Sequence, residues 1–405
     1  MRVLVLIAIL LSVSSPGGFG DEPRFRGGTG GRVIEVTRLD DDPVDPQPGM
    51  LRWALLQKGP RVVKFRVSGT IKLRDRVRIR HGRVTIDGSD APGMGVTVCG
   101  GSLEFQRADD VVIRYIRVRL GDETTRRKNR EQHLKRPRGS AGLDCLSFDH
   151  CRNVLVDHVS ASWSCDEIFS VVHCQNVVVQ WCILSEPLGD PRLHPYGDNH
   201  AFCFNASAST LRVEHCLFAH YVMRGPQFEA NDMRRGDHFT VRMQAVNNVM
   251  FDFKRSGSRY TTGVEDHKRQ AAGKRFEFQF LGNVFLSPKA ERPAIEAVTK
   301  HGMTDAVRLH AAGNVEMAAG QDARWATVQT DQGESVAHAT PGLSQAGAAV
   351  VEAVLQNAGC SHRRDAIDER VVSDVRRFRA RPMIDSPREA RMPGELTRRL
   401  FQRKF

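Results

Sequence analysis

Asp149-His150-Cys151-Arg152-Asn153-Val154-Leu155-Val156-Asp157-His158 lines up with Val172-His173-Cys174-Gln175-Asn176-Val177-Val178-Val179-Gln180-Trp181 at an offset of 23 residues. Ser209-Thr210-Leu211-Arg212-Val213-Glu214-His215-Cys216 resembles the later part of the same unit. Asp109-Asp110-Val111-Val112-Ile113-Arg114-Tyr115-Ile116 reads as an earlier copy, and weaker copies lie at 244–251 and 276–285. A period in the low twenties with x-Asn-Val-x-Val strands implies one coil of a solenoid per repeat. A single coil cannot bury its inward apolar residues, so coils stack, parallel sheets form, and equivalent positions make ladders. Asn153 and Asn176 are expected to stack in a turn, each amide bonding to the next, and Cys151 and Cys174 to stack likewise. The leucine spacing of a leucine-rich repeat is absent, and a propeller needs longer, antiparallel units.

Outward from this repeat, the texture from Arg32 onward is short β-rich runs punctuated by Gly, Pro, Asp or Asn. The run at 61–67 stops at Ser68-Gly69, and others lie at 77–80, 83–86 and 96–98. In Gly49-Met50-Leu51-Arg52-Trp53-Ala54-Leu55-Leu56, apolar residues fall at helical spacing, which suits a short helix capping one end of the stack. After about Gly313 the strand texture fades, and 346–355 reads as a helix. The segment 362–405 is rich in Arg and carries several prolines. It is expected as a tail along the outside, partly disordered, with solvated charges. At the other end, Arg2, an apolar run at 3–11 and small residues at 14–18 follow the order of a secretory leader. That run is too short to span a bilayer, and a buried first strand is the competing reading. The expected division is a leader at 1–18, the β stack at 19–315 and an extension at 316–405.

The 405 residues are 40% hydrophobic and carry a formal net charge of +12. Such a chain attracts polyanions; an exported one is expected to meet acidic polysaccharide, while charge alone does not separate that from nucleic acid. None of the nine cysteines forms a C-x-x-C pair, so zinc-ribbon and thioredoxin-type readings fail. Their odd count leaves at least one thiol unpaired if all bridges are intramolecular; small apolar residues in a stack explain them at least as well. No G-x-S-x-G elbow, H-E-x-x-H motif or P-loop is present. Asn205-Ala206-Ser207 is a sequon of the kind that occurs by chance.

Leu143-Asp144-Cys145-Leu146-Ser147-Phe148, the Asn153-to-His158 block and Ser160-Ala161-Ser162-Trp163-Ser164-Cys165-Asp166-Glu167 resemble the calcium-dependent pectate lyases. Gly30-Gly31-Arg32-Val33-Ile34-Glu35-Val36-Thr37, Gly69-Thr70-Ile71 and the late stretch 364–387 add to the likeness, which covers most of the chain after the leader. The resemblance implies an all-β, right-handed parallel β-helix. It implies a secreted or periplasmic carbon–oxygen lyase that cleaves a pectate-like polyuronate by β-elimination with Ca2+. The expected partner is an acidic polysaccharide, with no nucleic acid, no membrane span and a monomeric chain.

Residue by residue, Asp144 and Asp166 match calcium-ligand positions, and Glu167 is an extra ligand candidate. Calcium takes several hard oxygen donors, so clustered carboxylates suit it; bonding to turn amides alone is the alternative. Asp144 and Asp166 lie 22 residues apart, about one coil, so they are expected on neighbouring rungs. Arg224, in Met223-Arg224-Gly225-Pro226, matches the Arg-x-Pro pattern of the catalytic base. Asp157-His158 matches a supporting pair. His200 stands where a substrate lysine is expected, and Gly142, Ser170 and Glu229 replace family acids or a cation. Arg126 and Arg127, in the basic loop 126–138, are expected to grip an acidic glycan from the face over Asp144. Two other readings use the same residues. One is a catalytically inactive acidic-glycan-binding β-helix. The other is a glycoside hydrolase pairing Asp144 with Asp166 or Glu167.

Overall fold

The computed structural model describes residues 25–230, 240–261, 275–288, 293–298, 307–318 and 345–390. The expected leader and the last residues of the extension, 391–405, lie outside the described residues. Each coil contributes short strands to three sheets. The first sheet runs from Arg32–Val36 through Arg61–Phe65, Val84–Asp87, Val111–Arg114 and Arg152–Asp157 to Val307–Ala312. The second runs from Gly69–Lys72 to Val315–Ala318, and the third from Val77–Ile79 to Ile295–Val298. Val154 pairs with Val177 and Val156 with Val179 in parallel, so the 23-residue sequence offset is the register itself. Glu167–Gln180 is long enough to bend, and it pairs in both the third and the first sheet. The fold is a parallel β-helix.

The predicted ladders form. Asn153 Nδ2 donates to Asp110 Oδ1 at 2.9 Å, and Asn176 Nδ2 donates to Asn153 Oδ1 at 2.8 Å. The three residues have φ of 58°, 57° and 57°, the left-handed region that Asn and Asp tolerate better than other side chains. Each such bond contributes about 1 kcal/mol. The Cys151 N–H donates to Cys174 Sγ at 3.3 Å, and all nine cysteines are free thiols. Inside the third sheet, the rings of Phe105, Phe148, Phe169 and Phe204 follow one another at 4.8, 5.4 and 4.8 Å. Ring ladders of this kind join burial to favourable offset stacking.

Among the described residues, four α-helices decorate the stack: α1 Leu51–Leu56, α2 Glu123–Glu131, α3 Gln345–Asn357 and α4 Ala366–Arg376. Helix α1 buries Leu51, Ala54 and Leu55 in one cluster with Ile34 and Val36 of the first coil. That is the cap its spacing predicts. Helix α2 corrects the reading of 126–138 as a loop, since Arg126, Arg127, Lys128 and Arg130 all sit on it.

The C-terminal extension is the larger correction. Val354, Leu355, Val371, Val372 and Val375 pack on Ile183, Leu217, Val249, Phe251 and Val284 of the second sheet. Asp365 caps α4 by accepting from the N–H groups of Ile367 and Asp368. Charges expected in solvent are paired instead. Buried Arg119 meets Asp365 at 2.7 Å and Asp368 at 2.9 Å, and Ser160 Oγ donates to Asp368 at 2.6 Å. Arg370 meets Glu186 at 2.7 Å, while His220 of the second sheet lies 3.5 Å from Asp374. Gly359 makes the close approach possible: its φ is +75°, and a Cβ there would lie 2.6 Å from Ser160 Oγ. The physical reason is reciprocity. The second sheet carries buried charges whose partners are in the arm.

Candidate functional site

The corner between the second and third sheets carries the long connections, including α2 and the stretch between Ile183–Ser185 and Phe202–Ala208. Rigid strands that end in long loops are where binding groups are commonly mounted. Asp144 precedes Leu146–Asp149, Asp166 precedes Glu167–Gln180, Phe202 opens the next strand, and Arg224 precedes Gln227–Phe228. Glu167 pairs with Phe202 and Phe202 with Met223, so the residues occupy consecutive coils.

One oxygen each from Asp144, Asp166 and Glu167 lies within 4.8 Å of the others. Asp166 and Glu167 are buried and Asp144 is half-buried. Burial first, then the neighbouring charges of Asp166 and Glu167, push Asp144 well above the usual carboxylate range, while a Ser170 hydrogen bond opposes this. Burial and the charge of Asp166 raise Glu167 to about 8, against the pull of Arg224. Burial likewise raises Asp166. Crowded carboxylates in low dielectric resist full ionisation. They accept it readily when a cation is added, and their oxygens are the hard donors that calcium takes.

The cation already present is Arg224, which is ion-paired with Glu167. Its guanidinium carbon sits 4.4 Å from the centre of the Phe202 ring, a cation–π contact that fixes its plane. Its Nε is buried and has no hydrogen-bond partner within the protein. Arg224 also holds φ of +69°, an uncommon conformation for a non-glycine residue.

His200 is at the site too. Its Nδ1 lies 2.8 Å from Asp198 Oδ1, and its ring stacks on His194 at 3.7 Å. His194 Nε2 reaches Asp166 Oδ2 at 3.2 Å. The sequence reading missed His194, Asp198 and Phe202. The visible signal was the spacing of His194, Asp198 and His200 within seven residues, a cluster of metal-ligand types in a turn-rich segment.

Other predicted residues lie elsewhere. Arg126 pairs with Asp122 at 2.7 Å and Asp190 at 2.5 Å, and also reaches the carbonyl of Asp385 at 3.3 Å. Arg127 pairs with Glu131 at 3.1 Å and donates to the Arg74 carbonyl at 2.7 Å. Both are engaged by the protein itself, through i,i+4 pairs that the sequence of α2 displays. His158 Nδ1 lies 2.7 Å from Asp157 Oδ1, as expected of a supporting pair, but in the turn between the first and second sheets, across the coil from Arg224. There His158 stacks between Tyr115 and Trp181. Glu229 accepts from Gln227 Nε2 at 2.5 Å, and Gly142 has φ of +87° beside Arg76.

No family model matches the chain. A probable pectate lyase C of Aspergillus fumigatus is 37% identical over 182 residues, which are 45% of this chain and 38% of that protein. A probable pectate lyase P56 of Solanum lycopersicum is 32% identical over 169 residues, 41% of each chain. The chain thus matches less than half the length of these curated relatives. Among solved structures, jun a 1, the major allergen from cedar pollen, aligns with a TM-score of 0.51 at 17% identity over 82% of this chain and 90% of that one. At that identity the likeness concerns the fold, and it agrees with the stacked parallel sheets. Over less than half its length the chain is similar in sequence to proteins named as probable pectate lyases.

Proposed function

We propose that this protein is an exported polysaccharide lyase that cleaves a pectate-like polyuronate by β-elimination, with calcium held by Asp144, Asp166 and Glu167. The observation that carries the reading is the meeting of Arg224 with that carboxylate cluster on consecutive coils. A base takes the C5 proton beside the uronate carboxylate, a C4–C5 double bond forms, and the C4–O bond breaks. The departing glycosidic oxygen takes up a proton. Calcium, when bound, supplies positive charge to the uronate carboxylate and so acidifies the C5 proton. Arg224 is the residue assigned to that proton. A guanidinium accepts a proton only in its neutral form, so Arg224 acts as base only in that form. The Phe202 ring holds the guanidinium in one plane, and Glu167 anchors one end of it.

The same reading divides the chain into a leader at 1–18, a β-helix at 19–315 that carries the site and a C-terminal extension at 316–405, acting as a secreted or periplasmic monomer. Among the described residues no helix is long and apolar enough to cross a membrane. The expected result on polygalacturonate is growth of the ultraviolet absorbance of unsaturated uronate, abolished by chelator and restored by calcium. No such product across a panel of acidic glycans would end the lyase reading. Glycan binding without turnover, unaffected by Arg224→Ala, would leave the binding-protein alternative.

A further inference from the structure

The turn that follows the short 3-10 helix Pro191–Leu193 presents an aromatic ring that the elimination chemistry leaves unused. Tyr196 is 75% exposed, and it is the one aromatic among the large apolar side chains that lie exposed in the described residues. It is held from behind. The Tyr196 N–H donates to His194 Nδ1 at 3.4 Å, and its ring meets those of His194 and His200 edge to face at 4.9 and 5.6 Å. The Gly197 N–H closes the turn on the His194 carbonyl at 3.1 Å.

Arg136 approaches the same turn from the segment that follows α2. A Cβ on Gly197 would overlap Arg136 Nη1 and lie 2.9 Å from its guanidinium carbon, so the guanidinium rests on the bare backbone of the turn. Gly197 also has φ of +72°, a conformation that favours glycine. Arg136 is exposed and has no acid within ion-pair reach among the described residues. Asp198, the acid of the turn, is engaged elsewhere, 2.8 Å from His200 Nδ1. Arg126 and Arg127 are paired within the protein, and Arg136 is not.

We infer that Tyr196 and Arg136 form a subsite for a hexuronate unit, with the C–H face of the sugar on the Tyr196 ring and the sugar carboxylate on the Arg136 fork. This rests on the acidic-glycan reading of the site and names the groups that grip the chain. A pyranose is amphipathic, with C–H groups on its face and hydroxyls around its rim. An exposed ring already held on a turn covers that face at little cost in ordering. A guanidinium presents two parallel N–H groups that match the two oxygens of a carboxylate. The same turn touches the carboxylate cluster, because His194 Nε2 lies 3.2 Å from Asp166 Oδ2. The subsite is therefore set beside that cluster.

Calorimetry with trigalacturonate and with its fully methyl-esterified form tests this, in a common Arg224→Lys background that keeps the ligand intact. Arg136→Gln weakens trigalacturonate binding about 10-fold and spares the ester, which has no carboxylate to pair. Tyr196→Ala weakens both ligands about 10-fold, and Tyr196→Phe restores them, because stacking needs the ring and not the hydroxyl. Both side chains are exposed, so melting temperatures stay at the background value. With Arg224 intact, Arg136→Gln and Tyr196→Ala act on KM for polygalacturonate rather than on kcat. Undiminished trigalacturonate affinity in Arg136→Gln or Tyr196→Ala, an equal Arg136→Gln penalty on the ester, or no trigalacturonate binding at all would each overturn the inference. Turnover of polygalacturonate by the wild type is scored separately, so the lyase reading stands or falls on its own.

Discussion

The carboxylate corner and the arm-covered second sheet both bury several charges, and they treat them in opposite ways. Under the arm, acids have cations of their own. Arg370 serves Glu186, Arg381 serves Asp374, and His220 lies between Asp252 and Asp374. Glu186 and Asp252 are held below the ordinary carboxylate range by these partners despite burial, and Asp374 falls to about 2. Asp368 departs from this pattern, because burial pushes it up. At the corner, Asp144, Asp166 and Glu167 crowd together beside Arg224, and all three rise. A matched network holds a structure together. An undermatched one is prepared for a ligand that brings the missing charge.

That contrast can be broken at several points. The largest expected effect is on turnover: Arg224→Lys lowers kcat about 10²–10⁴-fold, the usual worth of a positioned proton acceptor, with an unchanged melting temperature. A matching loss of melting temperature would make Arg224 a structural residue like those under the arm. Next, Glu186→Ala removes the nearer acid from buried Arg370, leaving Asp374 at 3.6 Å, and costs about 3 kcal/mol in denaturant unfolding, without a specific effect on metal binding. A cost below about 1 kcal/mol would show that the arm network is not a matched one.

The arm also predicts a pH window. Asp374, Asp252 and Glu186 are depressed when folded, so their stabilisation is present above about pH 4 and is lost as pH falls toward 2. His220 is raised: burial opposes its charge, but bonds to Asp252 and Asp374 outweigh it. Its contribution is full below about pH 6.5 and is lost as pH rises through the folded value. Thermal melts should peak between about pH 4 and 6.5, and His220→Gln should flatten the alkaline decline. A decline as steep in His220→Gln as in wild type would assign it elsewhere. The smallest effect concerns neither region but the frame between them. Asn176→Ala removes one ladder bond and should cost about 1–2 kcal/mol, read from urea unfolding.

Much of the frame was legible. The recurrence of Asn153 at Asn176 named a turn that needs positive φ and an amide ladder, and both are present. The helical spacing around Leu51 and Ala54 named the cap, and the run at 346–355 falls within α3. The candidate site was legible in part. Asp144, Asp166, Glu167 and Arg224 were named from resemblance, and the structure brings them together. His194 and Asp198 were not named, because a loop of variable length gives no repeat position to read. Arg126 and Arg127 were assigned to substrate on charge alone, and charge does not say which acid is nearest.

The sequence alone determined the coil, because stacking is a relation between equivalent residues of neighbouring repeats and a fixed offset writes it into the chain. Only the tertiary structure decided the partners of the charges. Arg119 finds Asp365 246 residues away, and Arg126 finds Asp190 64 residues away. Such pairings depend on where an arm and a loop come to rest, and electrostatic attraction carries no periodicity by which a sequence could announce them.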